Sequence, residues 1–541
     1  MNMIRKCIVL VISAAMLLSV CSVGALACAS IYVGSDLTDD GSAYVARSED
    51  MSNSTEKQYY VIPAGAHTAG QVYNGCYGFV YTFTKDSYGY TAFRDNMGEG
   101  TDYVCPDCGS TEDGHVPYEE GGTNECGLTV SATETLFANS AIEQADPTIE
   151  TGIAESDMCT VLLSECATAR EAIEYLTEIY DTYGAAEANG LFIADQDEVW
   201  YIENVTGTQY IALLLPEDLV FIEPNMSVIG AIDLDDTDNV IASDALIETA
   251  LAAGTFVGDA DENIIDFRAS YSVAIENSAE FEGYGSTVNE RMINGLNYLV
   301  GSDVYTEDNI TDTDFTISNV AEDGSLTGLY TNITLDHVMT LQDVVGFYQV
   351  SPVGRPSNQE THIFQIDPDG EDEALSTVEW VSMANDIYTI FAPAYPMLIN
   401  DTYEGYQVST PGIEFVTEEP ADDADYYPYE EFNWMTDETT SGYRVLPAEW
   451  RSSIYWAFDA VANFIVYGDS TEADEQFVLD NYAAAQNDIY TQFAATQAAI
   501  GDMSGDELRD FLTEDAAAHA SYAHETALAV YDYITADDSA S

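Results

Sequence analysis

Arg5 and Lys6 precede an apolar stretch from Ile8 to Val20. Gly24-Ala25-Leu26-Ala27 follows, and the next residue is Cys28. A basic start, an apolar centre and an A-x-A site have the pattern of a secretory leader. The pattern predicts cleavage after Ala27 and export. It takes residues 1–27 out of the fold and makes a cysteine the first residue of what remains. A cysteine in that place carries its own α-amine, with a pKa of about 7.7–8.0, beside a thiol of about 8.5. That pair is a nucleophile with a built-in base. The other reading is a lipid-anchored envelope protein acylated at Cys28, but such signals usually have Leu where Ala25 stands.

The residues behind Cys28 read as a hairpin. Ala29–Val33 is a short apolar strand, Asp39-Asp40-Gly41 a turn, and Ser42–Arg47 the returning strand. An antiparallel return brings Arg47 and Asp50 back beside Cys28, so spacing alone predicts these three as neighbours. Further along, Asn124–Thr133 reads as a strand. Thr168-Ala-Arg-Glu171 caps a helix that ends at Gly184. Strands are expected at 191–194, 199–203, 210–215, 220–222, 363–366 and 378–381, and a helix at 338–347. Residues 74–122, rich in Gly, Tyr and acids, read as an insertion. Residues 401–450 read as an acidic connector. Helical spacing of Tyr482, Ile489, Phe493 and Ile500, and a Ser504–Glu507 capping box, place helices at the C-terminal end.

Asp and Glu number 96 against 13 Lys and Arg, a net charge of −83. No basic patch exists to follow a phosphate backbone, which excludes a nucleic-acid binder. Anionic lipid is disfavoured for the same reason. An apolar fraction of 46% supplies a large core, so the charge belongs to a solvated surface. Salt screens repulsion among such carboxylates. The unfolding midpoint is therefore expected to rise between low and molar salt; a flat or falling midpoint in a thermal melt series would contradict this. No later stretch is long and apolar enough for a transmembrane helix. Beyond Cys28, six cysteines remain: Cys76, Cys105, Cys108, Cys126, Cys159 and Cys166. They permit three disulfides, or remain thiols. Cys105, Cys108, His115 and Cys126 form an alternative zinc set, the less favoured one. The acidic runs at 233–239 and 367–372 do not match a twelve-residue calcium loop.

Five stretches together resemble one family. They are Cys28-Ala-Ser-Ile-Tyr-Val-Gly with Ala46-Arg-Ser-Glu-Asp50; Thr123-Asn-Glu-Cys-Gly-Leu-Thr-Val-Ser-Ala-Thr-Glu-Thr135; Ala167–Ile173 with Glu198–Glu203; Pro224–Asp233; and Thr361-His-Ile-Phe-Gln-Ile366 with Pro393-Ala-Tyr395. In that order behind an exposed cysteine, they are similar to the PepD-type cysteine dipeptidases. These belong to the N-terminal nucleophile (Ntn) hydrolase superfamily and are relatives of penicillin V acylase and conjugated bile-salt hydrolase. The resemblance implies an α+β fold, the αββα four-layer Ntn sandwich. It would span residues 28–400, with residues 401–541 as a connector and C-terminal helices packed on it.

The resemblance also implies roles. Cys28 is the nucleophile. Arg47 lies against its thiol and favours the thiolate, and Asp50 orients the α-amine. Asn225 helps bind the oxyanion, and Arg291 is a second active-site arginine. Asn124 and Glu134 fall in the run assigned to substrate binding. Glu134 cannot donate a hydrogen bond when ionised, so a backbone N–H of the Ser131–Thr135 strand is the expected second oxyanion donor. The implied reaction is hydrolysis of a dipeptide amide bond by a secreted enzyme with no metal or other cofactor. Small amides or N-acyl substrates of the acylase type are the alternative. Self-association stays open. No histidine stands in a motif beside a cysteine, and strand burial accounts for His362.

Overall fold

The computed structural model describes residues 28–50, 56–96, 118–134, 136–273, 285–321, 323–355, 358–410, 413–421, 425–433, 438–468, 470–501 and 503–536. Residues 1–27, expected to be a leader, and Cys105, Cys108 and His115 lie outside the described residues.

Cys28 opens strand β1 (Ala29–Val33), which pairs antiparallel with β2 (Ala43–Asp50). Gly41, at φ 76°, makes the turn between them, and Asp40 accepts from the Ser42 N–H at 3.0 Å. Every residue of both strands is buried. They lack polar/apolar alternation because both faces of their sheet are covered. The second half of β2 buries Arg47, Ser48, Glu49 and Asp50, residues that stay inside only when paired.

The remaining core strands are β3 (Lys57–Ile62), β4 (Tyr90–Asp95), β5 (Glu119–Thr123), β6 (Thr129–Glu134), β7 (Asn189–Ala194), β8 (Val199–Asn204), β9 (Tyr210–Leu214), β10 (Val220–Glu223), β11 (Val240–Ala242), β12 (Asn358–Ile366), β13 (Thr377–Met383) and β14 (Ala392–Ala394). One six-stranded sheet runs β10-β1-β2-β12-β13-β14, and an eight-stranded sheet runs β11-β9-β8-β7-β6-β5-β4-β3. All their pairings are antiparallel. The sheets face each other through Phe192 on Phe221 (5.6 Å) and Phe93 on His362 (4.7 Å), and through a Tyr59–Glu379 hydrogen bond.

Helices α1 (Glu155–Glu165) and α2 (Ala169–Tyr183) cover the outer face of the larger sheet. Thr168 caps α2 by accepting from the Glu171 N–H at 3.2 Å. Helices α3 (Gly285–Leu299) and α4 (Leu341–Tyr348) lie against β10 and β2 of the smaller sheet. The layer order is that of the expected αββα sandwich.

Helices α5 (Ile454–Tyr467), α6 (Glu472–Ile500) and α7 (Gly505–Ile534) pack on the smaller sheet. Trp380 of β13 meets Tyr490 and Phe493 of α6 edge-on at 5.5 and 5.2 Å. The capping box is at Thr471, which accepts from the Asp474 N–H, whereas Ser504 makes no side-chain cap bond. Among the described residues no helix is long and apolar enough to cross a membrane.

Three sequence expectations change. Residues 74–122 are not wholly an excursion from the core: of the described ones, β4 and most of β5 lie inside the larger sheet, while Val80–Thr82 pairs with Val72–Asn74 in a separate hairpin. The expected strand 124–133 is a turn, 124–128, followed by β6. Within 401–450 lies a three-stranded antiparallel sheet of Glu414–Val416, Glu438–Val445 and Tyr426–Asn433.

Glu56 ties the body to this C-terminal part. Its carboxyl accepts from Ser453, from the Thr410 N–H and hydroxyl at 3.2 and 2.9 Å, and from Asn96 at 3.0 Å. Burial still pushes Glu56 up to about 7, and does the same to Glu203 and Glu379. The folded protein thus keeps protons that the unfolded chain releases from about pH 4.5 upward, so this contribution to stability is lost as pH rises through about 7. Unfolding midpoints are expected to fall from pH 5 to pH 8. Glu56→Gln should flatten that fall, by about 3 kcal/mol at most. An unchanged pH slope in the variant would contradict the assignment.

Candidate active site

Strand register builds the site. Ser30 pairs with Arg47 on one side and Glu223 on the other, and Arg47 pairs across β12 with His362. Alternation along β2 sends Arg47 and Glu49 between the sheets and Asp50 toward α3. Cys28 sits where these directions meet and is 4% exposed.

Arg47 Nη2 lies 3.4 Å from Cys28 Sγ and 3.0 Å from Glu155 Oε1. Glu155 is the first residue of α1, where the helix dipole favours an acid. Arg47 Nη1 stands 3.8 Å from both Glu49 and Glu360. On the other side, Arg291 of α3 donates from Nη1 to the Cys28 carbonyl at 2.9 Å and pairs with Asp50. Its remaining donors reach the carbonyls of Pro352 at 2.9 Å and Val353 at 2.6 Å. Two arginines therefore hold Cys28, one at the thiol and one at the main chain. Asp50 reaches the Cys28 carbonyl through Arg291. Burial raises the Asp50 carboxyl, against the pull of Arg291 and Arg355.

The thiol departs from expectation. Burial raises Cys28 to about 12; Arg47 lowers it, while Glu155, Glu49 and Asp50 raise it further. Burial outweighs the guanidinium, so in this state the thiol keeps its proton. Attack requires a base that takes this proton.

Asn225 follows β10 with a left-handed φ of 61° and is buried. The pairing of Ser30 with Glu223 ends two residues before Asn225, which turns the chain away at the same end of the sheet that carries Cys28. The Glu223 carboxylate accepts from the Met226 N–H at 3.1 Å and so holds this turn. Glu134 ends β6 opposite Asn189; its side chain lies outside the described residues.

Asn124 does not face a substrate. Its amide donates to the carbonyls of Leu163 and Cys166 at 3.0 and 2.8 Å. Its oxygen accepts from the Cys126 and Leu128 N–H groups at 3.0 and 3.1 Å. Every valence is committed to the 124–128 turn and the end of α1. Of the two outcomes left open for the cysteines, Cys126, Cys159 and Cys166 take the second: they are unbridged thiols.

The site reaches further than its sequence motifs. Lys57, one of three lysines in the chain, is fully buried, with Nζ 2.8 Å from Glu49, 2.8 Å from Asp95 and 3.2 Å from Glu120. Glu49, Glu120 and Glu360 bring carboxylate oxygens within 4.8 Å of one another, close enough to share a cation. Lys57 and Arg47 already supply positive charge there. His362 lies 2.8 Å from Ser131 Oγ and 3.1 Å from Glu360. The scarcity of lysine was one available signal for Lys57. The carboxylates come from separate strands, and no local spacing links them.

The family model for Peptidase family C69 matches residues 27–419. A probable dipeptidase B of Streptococcus pyogenes serotype M6 (strain ATCC BAA-946 / MGAS10394) is 32% identical over 402 residues, covering 70% of this chain and 74% of that protein. A probable dipeptidase of Salmonella dublin is 27% identical over 371 residues, covering 68% and 81%. Among solved structures, penicillin V acylase from Agrobacterium tumefaciens aligns with a TM-score of 0.28 at 13% identity, covering 68% of this chain and 85% of that one. With residues 27–419 matched, starting one residue before the buried cysteine, the chain belongs to peptidase family C69.

Proposed function

We propose that this peptidase is a secreted dipeptidase, and that removal of residues 1–27 frees Cys28 as an N-terminal nucleophile. The observation that carries the reading is the double grip on Cys28, with Arg47 at its thiol and the Asp50-anchored Arg291 at its carbonyl. In the uncut chain the Cys28 nitrogen is an amide joined to Ala27 and has no basicity. Cleavage turns it into an amine of pKa about 7.7–8.0 beside a thiol that burial keeps protonated.

The amine takes the thiol proton as sulfur bonds to the scissile carbonyl carbon. The proposed oxyanion donors are the Asn225 amide and a β6 backbone N–H. The ammonium then gives its proton to the leaving amine as the C–N bond breaks, leaving a thioester. Water, deprotonated by the same amine, attacks the thioester; the acid departs and the thiol is restored. The relatives named as probable dipeptidases support dipeptides as the substrate class.

A panel of dipeptides, with N-acetylated dipeptides and other N-acyl amides as controls, tests the substrate at several salt concentrations. Turnover of free dipeptides alone is expected. Preference for the N-acyl compounds would move the reading to an amidase. The intact mass of the exported protein should match a chain beginning at an unmodified Cys28; an acylated N-terminus would remove the base and the mechanism with it.

A further inference from the structure

Between the two sheets, a chain of polar contacts runs from the larger sheet to the nucleophile. Ser131 of β6 lies 2.8 Å from His362 Nε2. His362 Nδ1 lies 3.1 Å from both carboxylate oxygens of Glu360. Glu360 stands 3.8 Å from Arg47 Nη1, and Arg47 Nη2 reaches Cys28 Sγ at 3.4 Å. Ser131, His362, Glu360 and Arg47 are each no more than 2% exposed. The arrangement looks like a hydrolytic triad, but its hydroxyl is buried between the sheets and bonded to the ring of His362.

An ionised Glu360 can only accept, which puts a proton on His362 Nδ1; Nε2 shares the remaining hydrogen bond with the Ser131 hydroxyl. The ring is fixed as firmly as its hydrogen bonds. It stacks on Phe93 at 4.7 Å and packs on Phe364 at 4.9 Å. A Cβ at Gly121 would come within 3.1 Å of its Cε1, so glycine there leaves room for the ring. Arg47 is drawn toward Glu155 on one side and toward Glu49 and Glu360 on the other. Its position at the thiol depends on where those carboxylates are held.

We propose that His362 is a positioning residue for the nucleophile, fixing Glu360 against Arg47 and tying that pair to Ser131 on the neighbouring sheet. The proposal rests on Cys28 being the nucleophile. It gives His362 no contact with substrate: the effect passes through Glu360 and Arg47.

His362→Phe keeps the stacked ring and removes both hydrogen bonds, whereas His362→Gln can still donate and accept. Each variant is assayed in the processed protein for kcat, KM, thermal midpoint and the rate at which iodoacetamide labels Cys28, read by peptide mass spectrometry. His362→Phe is expected to lower kcat about tenfold or more with KM within about twofold, and to slow labelling by a similar factor. His362→Gln should recover to within about threefold of the parent. A folded His362→Phe protein with unchanged kcat and labelling would overturn the proposal, as would equal losses in both variants. If His362→Phe does not fold, Ser131→Ala and Glu360→Gln take its place; a loss of kcat at constant KM supports the proposal and parent-like kcat in both rejects it. Cys28→Ala is measured in parallel. Activity surviving there rejects the nucleophile itself, whatever His362 does.

Discussion

Cys28→Ala is expected to lower kcat/KM by about 10⁴-fold or more, because no other group on the chain can take the place of the sulfur that bonds the substrate. The fold should survive. Residue 28 stands at the free end of β1, and the strand's pairing with β2 and β10 does not use its side chain. Arg47 loses one weak partner and keeps Glu155 at 3.0 Å, so a stability change of about 1 kcal/mol is expected. Turnover and thermal midpoint measured on one preparation separate the two effects. Loss of both together would make Cys28 a structural residue.

Lys57→Met should have the largest effect on stability of any single change near the site. Burial works against both charges of the Lys57–Glu49 pair, but the attraction wins. Asp95, Glu120 and Glu49 hold Lys57 well above its usual range, while Lys57 and Arg47 hold Glu49 below the usual carboxylate range. Methionine fills much the same space and leaves three buried carboxylates without that cation. Breaking a buried pair from one side costs about 3–5 kcal/mol. In the variant those carboxylates ionise less readily than in the unfolded chain, so the loss should be greatest at neutral pH and shrink as pH falls toward 4. Urea midpoints at pH 7 and pH 4.5 measure this. Equal losses at both would mean that packing, not charge, is what Lys57 supplies.

The parts of the site that were legible in the sequence lie close together in it. Cys28, Arg47 and Asp50 belong to one hairpin, and a two-strand return fixes their meeting with no further information. Asn225 and Arg291 came only with the family motifs, since strand β10 and helix α3 reach Cys28 from distant stretches. Helix α2 was legible because its apolar period and its Thr168 cap agree. Strand β5, Glu-Glu-Gly-Gly-Thr, was not, because it carries no apolar side chain and is buried through polar partners such as Lys57, Tyr90, Thr91 and Thr160. The 401–450 sheet hid for a related reason. Its strands rely on tyrosines such as Tyr427 and Tyr429, which pack on Tyr467 of α5, and these look polar in a hydropathy pattern. Strand burial accounts for His362 in the sequence and in the structure; its bond to Ser131 forms only where the two sheets meet.

The central claim is that the α-amine of Cys28 is the base, and one added residue tests it most directly. A chain beginning Gly-Cys28 keeps the thiol, Arg47, Asp50 and Arg291. It replaces the amine at Cys28 with a non-basic amide and moves the free amine one residue away. Dipeptide turnover by this protein, with its N-terminus confirmed by intact mass, is expected to fall nearly as far as in Cys28→Ala. Turnover at the rate of the protein that starts at Cys28 would show that another group takes the thiol proton, and would contradict the N-terminal nucleophile mechanism.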